Sequence, residues 1–169
     1  MNIAGIYENS VSNGDGWRSV LFVSGCPHQC DGCQNPQTWN ACYGEAYGEE
    51  KAFQVLTKNP CLTGVTISGG EPLLYYKELA PLLDRLRMEN LNIWVYTGFV
   101  FEELVERAKT NSPLRTFLEK VDVLIDGRYE KHLSPAMYRG SENQRLIHVP
   151  QSLATNQVVL WEPTATTQW

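Results

Sequence analysis

Cys26-Pro27-His28-Gln29-Cys30-Asp31-Gly32-Cys33 sets three thiols in one turn-rich loop, spaced C-x3-C-x2-C, directly after the apolar run Ser19–Val23. A structural zinc site closes itself with four ligands, usually drawn from paired C-x2-C-like units. Three thiolates from one short loop, with no fourth thiol at ligand spacing, suit a cluster that keeps one metal corner open. A [4Fe–4S] cluster is held by Cys thiolates. With one protein ligand fewer, an iron is free to bind a small molecule. A zinc loop completed by Cys42 or Cys61 is the competing reading.

Outward from this loop, Ser68-Gly69-Gly70-Glu71-Pro72 follows the β-branched run Val65-Thr66-Ile67. Two glycines at a strand end permit close approaches that a side chain would block. The same residues also make an ordinary turn. Taken with the three-Cys loop, they give the chain a resemblance to the radical S-adenosylmethionine (SAM) superfamily. There C-x3-C-x2-C holds the cluster, and a GGEP-like strand end contacts the methionine part of SAM. Arg18–Cys26 and Gln34–Trp39 resemble the segments flanking the cluster loop in glycyl-radical activating enzymes. Trp94–Gly98, Val123–Arg128 and Arg139–Arg145 are similar to the activating enzymes of anaerobic (class III) ribonucleoside-triphosphate reductase. Gly32 stands where the wider superfamily commonly has an aromatic residue; the reductase-activating group tolerates glycine there.

The resemblance implies a chemistry and a set of roles. Cys26, Cys30 and Cys33 would each ligate one iron, and the fourth iron would chelate SAM. One electron would then break an S–C bond, giving methionine and a 5′-deoxyadenosyl radical that takes the α-hydrogen of a reductase glycine. Gly32, Cys33 and Gln34 would offer backbone groups to adenine. Gly69 and Gly70 would face the SAM ammonium and carboxylate, and Glu71 would accept from the ammonium or tie down the turn. Thr97 and Gly98 would contact ribose or sulfonium, or simply end a strand. Asp126 and Arg128 read as a close charge pair, either reaching SAM or purely structural. Arg139–Arg145 would shape the mouth that receives the partner, or be a structural loop. The implied partners are the anaerobic reductase and a low-potential electron donor such as flavodoxin. Two alternatives stay open: an activase of another glycyl-radical enzyme, and a zinc-stabilised interaction module without catalysis.

Composition narrows the class. The 169 residues fit one domain, 1–169, with a short polar tail at about 163–169. Net charge −5 argues against a nucleic-acid surface. No apolar run approaches the ~20 residues of a membrane span, and Met1–Ile6 carries no signal-peptide pattern. Five cysteines, three crowded into one loop, suit metal in a reducing compartment, which makes the cytoplasm the expected location. Cys42 and Cys61 read as inert thiols, and His28 as a solvent-facing polar residue.

Strands are expected at Ser19–Val23, Gly64–Ser68, Ile93–Thr97 and Val121–Ile125, with Arg145–Val149 and Val158–Trp161 as further candidates. Helices are expected at Glu49–Lys58, Leu73–Met88 and Phe101–Lys109, and another begins at Ser112 as N-cap before Pro113. Alternating strands and helices imply parallel βα units. A complete (β/α)8 barrel needs ~250 residues. The expected fold is therefore α/β: a partial, open (β/α) barrel of the radical SAM type, with five or six mostly parallel strands. The main motifs all fall at the carboxyl ends of strands, where parallel sheets place ligands.

Overall fold

The computed structural model describes residues 1–163; most of the polar tail expected at 163–169 lies outside the described residues. Seven strands form one mixed, unclosed sheet: β1 (Asn2–Ser10), β2 (Arg18–Val23), β3 (Glu45–Ala46), β4 (Gly64–Gly69), β5 (Asn92–Tyr96), β6 (Val123–Asp126) and β7 (Arg145–His148), in the order β3-β1-β2-β4-β5-β6-β7. The helices are α1 (Glu49–Leu56), α2 (Tyr76–Met88), α3 (Phe101–Ala108), α4 (Ser112–Leu118) and α5 (Val149–Thr155). β2, β4, β5 and β6 run parallel, whereas β1, β3 and β7 are antiparallel to their neighbours. The expected mostly parallel arrangement thus holds for the four central strands, and antiparallel strands flank them on both sides.

Strand alternation sorts the side chains into two unequal layers. Leu21, Val65, Ile67, Ile93, Val95, Leu124 and Ile147 point to the helical side, where they join Leu79, Leu82, Leu83, Leu104 and Phe117 in the main core. Trp94, Val123, Ile125 and Leu146 point the other way into a small aromatic cluster with Tyr96, Tyr138 and Trp161. The helical face is covered along its length. The opposite face is covered only at its base, which leaves the strand carboxyl ends open.

Five local features depart from expectation, the first being α5, which begins at Val149 inside the strand expected at Arg145–Val149. β1 pairs with β2 although Asn2–Ser10 is half polar. Leu73 belongs to a short 3-10 turn, Pro72–Leu74, that precedes α2. Asn111, not Ser112, caps α4, its side chain accepting from the Leu114 N–H. Val158–Trp161 makes a single bridge, Leu160 to Ile147, and not a sixth parallel strand.

Arg18 anchors the base of the open face. It is 1% exposed, and its donors reach Thr66 Oγ1 at 2.8 Å, Asp15 O at 2.8 Å, Val65 O at 3.0 Å and Asn92 O at 2.8 Å. Its guanidinium lies 5.1 Å from the Trp94 ring centroid. Burial pushes its pKa down to about 10, so it stays charged at neutral pH. Arg18→Met keeps the stem and removes the donors. It is expected to cost roughly 2–4 kcal/mol, because several buried acceptors lose their partners; urea unfolding with an unchanged m-value is the measurement.

Candidate functional site

The carboxyl ends of β2, β4, β5 and β6 surround a cavity of about 380 Å³. Cys26, Cys30 and Cys33 all line it, together with Gln34, Gly69, Gly70, Thr97, Gly98 and Arg128. The three thiols are partly exposed and form no disulfide. Burial raises the Cys26 thiol above its ordinary value, and the backbone N–H groups of His28 and Gln29 oppose that. Cys33 Sγ accepts from the Asn35 N–H at 3.4 Å, a bond of the kind that orients and tunes a thiolate ligand.

The loop is fastened to the sheet by backbone. Gly70 N–H donates to Val23 O at 2.8 Å, Glu71 N–H to Gly25 O at 2.8 Å, and Gly25 N–H to Thr38 O at 2.6 Å. These contacts leave no room at the two glycines. Gly69 has φ +103°, and a β-carbon there would stand 2.5 Å from Val23 N; one at Gly70 would stand 2.3 Å from Gly25 O. The glycine pair therefore joins the ends of β2 and β4, besides leaving backbone bare at the cavity.

Glu71 lies behind the cavity wall, fully buried. Its Oε1 accepts from Leu73 N–H at 2.9 Å and Thr97 Oγ1 at 2.8 Å. Its Oε2 accepts from Gly98 N–H at 2.8 Å and His28 Nε2 at 2.7 Å. The four lone-pair positions of a carboxylate are thus all used, and of its two expected roles the geometry has Glu71 tying strand ends together. His28 is not solvent-facing: its side chain is 5% exposed, and its ring packs edge-on against Phe99 at 4.7 Å. Gly98 makes the space, since a β-carbon there would meet the His28 ring at 2.4 Å.

One further expectation is corrected. Asp126 does not pair with Arg128. It is 1% exposed, accepts from Phe101 N–H at 2.8 Å, and binds Arg145 Nε at 3.0 Å. Gly127, at φ +98°, turns the chain so that Arg128 leaves the pair exposed at the cavity. Gly32 is exposed, with its α-carbon under the stem of Lys131, whose ammonium pairs with Asp31. Arg139–Arg145 is largely a set of staples. Gln144 Nε2 donates to Gly127 O at 2.9 Å, its Oε1 accepts from Gly140 N–H at 2.9 Å, and Ser141 Oγ accepts from Glu130 N–H at 3.1 Å. Arg139 lines the cavity while holding Gln144 O at 2.9 Å.

Sequence reasoning missed Tyr96, Tyr138, Trp39 and the Ser12–Asn13 turn, all of which line the cavity. Tyr96 was legible, because the two-residue alternation from Trp94 puts both rings on one face. Trp39 Nε1 and Arg139 Nε are buried without a protein partner. Sulfur ligands, bare strand-end backbone and two unspent donors at the wall fit a thiolate-held cluster and a polar small molecule beside it.

Residues 12–147 match the family described as the 4Fe-4S single cluster domain. The chain is 37% identical over 153 residues to the anaerobic ribonucleoside-triphosphate reductase-activating protein of Enterobacteria phage T4, covering 86% of this chain and 93% of that protein. It is 36% identical to the protein of the same name from Pasteurella multocida (89% and 99% covered) and 33% identical to that of Escherichia coli strain K12 (88% and 99% covered). The chain belongs to this family of activating proteins. The resemblance read from the motifs is borne out across nearly the whole described chain of this reductase-activating family member. Among the described residues no helix is long and apolar enough to cross a membrane.

The Gly70 contact makes a sharp expectation. Gly70→Ala should destabilise the cluster-free protein by roughly 2–3 kcal/mol, since its β-carbon meets a backbone carbonyl that is itself hydrogen-bonded. Gly5→Ala, where nothing lies within 4 Å, should be neutral within about 0.5 kcal/mol. Thermal unfolding of the two variants side by side is the check.

Proposed function

We propose that this chain is the activase of an anaerobic ribonucleoside-triphosphate reductase, acting as a single cytoplasmic radical SAM domain with a partial, open barrel. The observation that carries the reading is the convergence of Cys26, Cys30 and Cys33 with the ends of β4 and β5 on one cavity. Cys26, Cys30 and Cys33 would hold a reduced [4Fe–4S] cluster, which would supply the electron for cleaving SAM and so the radical chemistry directed at a reductase glycine.

Each residue has a task in that scheme. The three thiols bind the cluster, and the Asn35 N–H steers Cys33. Bare backbone at Gly69 and Gly70 faces the amino-acid end of SAM. Thr97 is fixed by its bond to Glu71, which holds the wall next to the ribose or sulfonium. Trp39 Nε1 and Arg139 Nε are donors awaiting an acceptor, and Arg128 brings a cation to the mouth. The uncovered side of the sheet admits a polypeptide loop, as a protein substrate requires. The zinc alternative loses Cys61: Thr63 N–H donates to Trp17 O, so Cys61 belongs to the amino end of β2, a full strand length from the three-Cys loop. The names of the relatives favour the ribonucleotide reductase over another glycyl-radical enzyme.

Cys26→Ala, Cys30→Ala and Cys33→Ala should each lower methionine release from SAM by at least ~100-fold after anaerobic iron–sulfide reconstitution, a larger loss than outer-shell changes cause. Cys42→Ala and Cys61→Ala should retain it. With the reductase present, a glycyl radical should appear by electron paramagnetic resonance. Full SAM cleavage by Cys30→Ala, or no reductase radical with the wild-type chain, would sink the proposal.

A further inference from the structure

The cations of this acidic chain are almost all spent. Among the described residues nine of the 14 Lys and Arg side chains pair with carboxylates, and Arg18 is buried on backbone carbonyls. The remaining four fall in two places. Arg128 and Arg139 line the thiol cavity. Lys77 and Arg107 line a second, open depression of about 520 Å³ walled by Thr110–Pro113.

This second site lies on the helical side, yet it reaches the level of the cluster loop. Lys77 is in the first turn of α2, six residues after Glu71. Asn111 Nδ2 donates to the neighbouring Tyr76 hydroxyl at 2.9 Å. The Arg107 guanidinium lies 5.2 Å from the Phe99 ring centroid, and Phe99 packs against His28 at 4.7 Å. His28 lines the thiol cavity between Cys26 and Cys30. A short line of packed side chains therefore joins a cationic surface to the back of the three-Cys loop. Leu74 and Val100, 48% and 38% exposed, stand between β4 and α2 and between β5 and α3.

We infer that Lys77, Arg107 and their surroundings dock an acidic one-electron donor protein. The inference rests on the activase reading. That reading fills the cavity side with SAM and the reductase, so the electron must enter from another face. In the step itself the reduced donor loses one electron and the bound cluster gains it; no bond is made or broken. Against the chain's net charge of −5, these two unpaired cations offer the local complement that an acidic partner needs.

The test compares electron sources. Reconstituted Lys77→Glu/Arg107→Glu protein is assayed for methionine release with a negatively charged flavodoxin, reduced by its NADPH-dependent reductase, and separately with dithionite. The expected result is a fall of about tenfold or more with flavodoxin at low salt and an unchanged rate with dithionite. Added salt should slow the wild type with flavodoxin and leave the variant nearly unaffected. Lys77→Gln/Arg107→Gln should show the same ordering with a smaller loss, which guards against misfolding of the charge reversal. Equal rates with both donors, or equal losses with both, would overturn the inference. So would a loss confined to reductase radical formation under dithionite, which would make this the reductase's face. Absence of methionine from the wild type with dithionite would remove the activase reading, and the docking inference with it.

Discussion

A carboxylate buried beyond the reach of water and holding four donors is the constraint on which the site depends. Glu71 receives hydrogen bonds from the three-Cys loop through His28, from the turn after β4 through Leu73, and from the end of β5 through Thr97 and Gly98. An unpaired charge at that depth would be prohibitively costly; paired in this way it locks three segments into one geometry. The loop that carries the thiols is thus referenced to the same atom pair as the two strand ends that face it. Gly69 and Gly70 contribute the matching backbone closure, because only bare α-carbons let β2 and β4 finish so close together.

The second organising choice is the asymmetry of the sheet. The crossover helices α1 to α4 pack on one face, with Val149 of α5 beside them, so the main core can be apolar and continuous there. The opposite face is held at its base by a buried arginine on Trp94 and by a few aromatic rings. This division frees the strand ends on that side for polar chemistry without opening the core. Asp126 serves the same end. By taking Arg145 and the Phe101 N–H together, it joins the last parallel strand, its antiparallel neighbour and the start of α3.

The central strands and the amphipathic helices were legible because burial on the helical face imposes a repeat of two on strands and of nearly four on helices. The thiol loop and GGEP were legible because their chemistry is dense in sequence. Other features depend on partners far along the chain. His28 reads as a solvent-facing residue until Glu71, 43 residues away, takes it as a fourth donor. Asp126 has a cation two residues on, yet binds the one 19 residues on, because Gly127 reverses the local direction. β1 is hidden because its polar pattern shows only half of what an antiparallel partner completes. α5 is hidden because its capping residue, His148, also ends a strand.

None of the residues that build the main core comes from the segment between β2 and β3, which holds all three clustered thiols. The main core is therefore assembled from residues outside the loop that would carry the cluster. In small metal domains the ion supplies the folding free energy, and stripping it unfolds the chain. Here the main apolar core is built outside the loop, which contributes His28 to the buried Glu71 instead, so an emptied loop would leave the apolar packing in place. For a member of an anaerobic reductase-activating family, such a layout would make the cluster a repairable part: the chain would outlive its cargo and could be refilled.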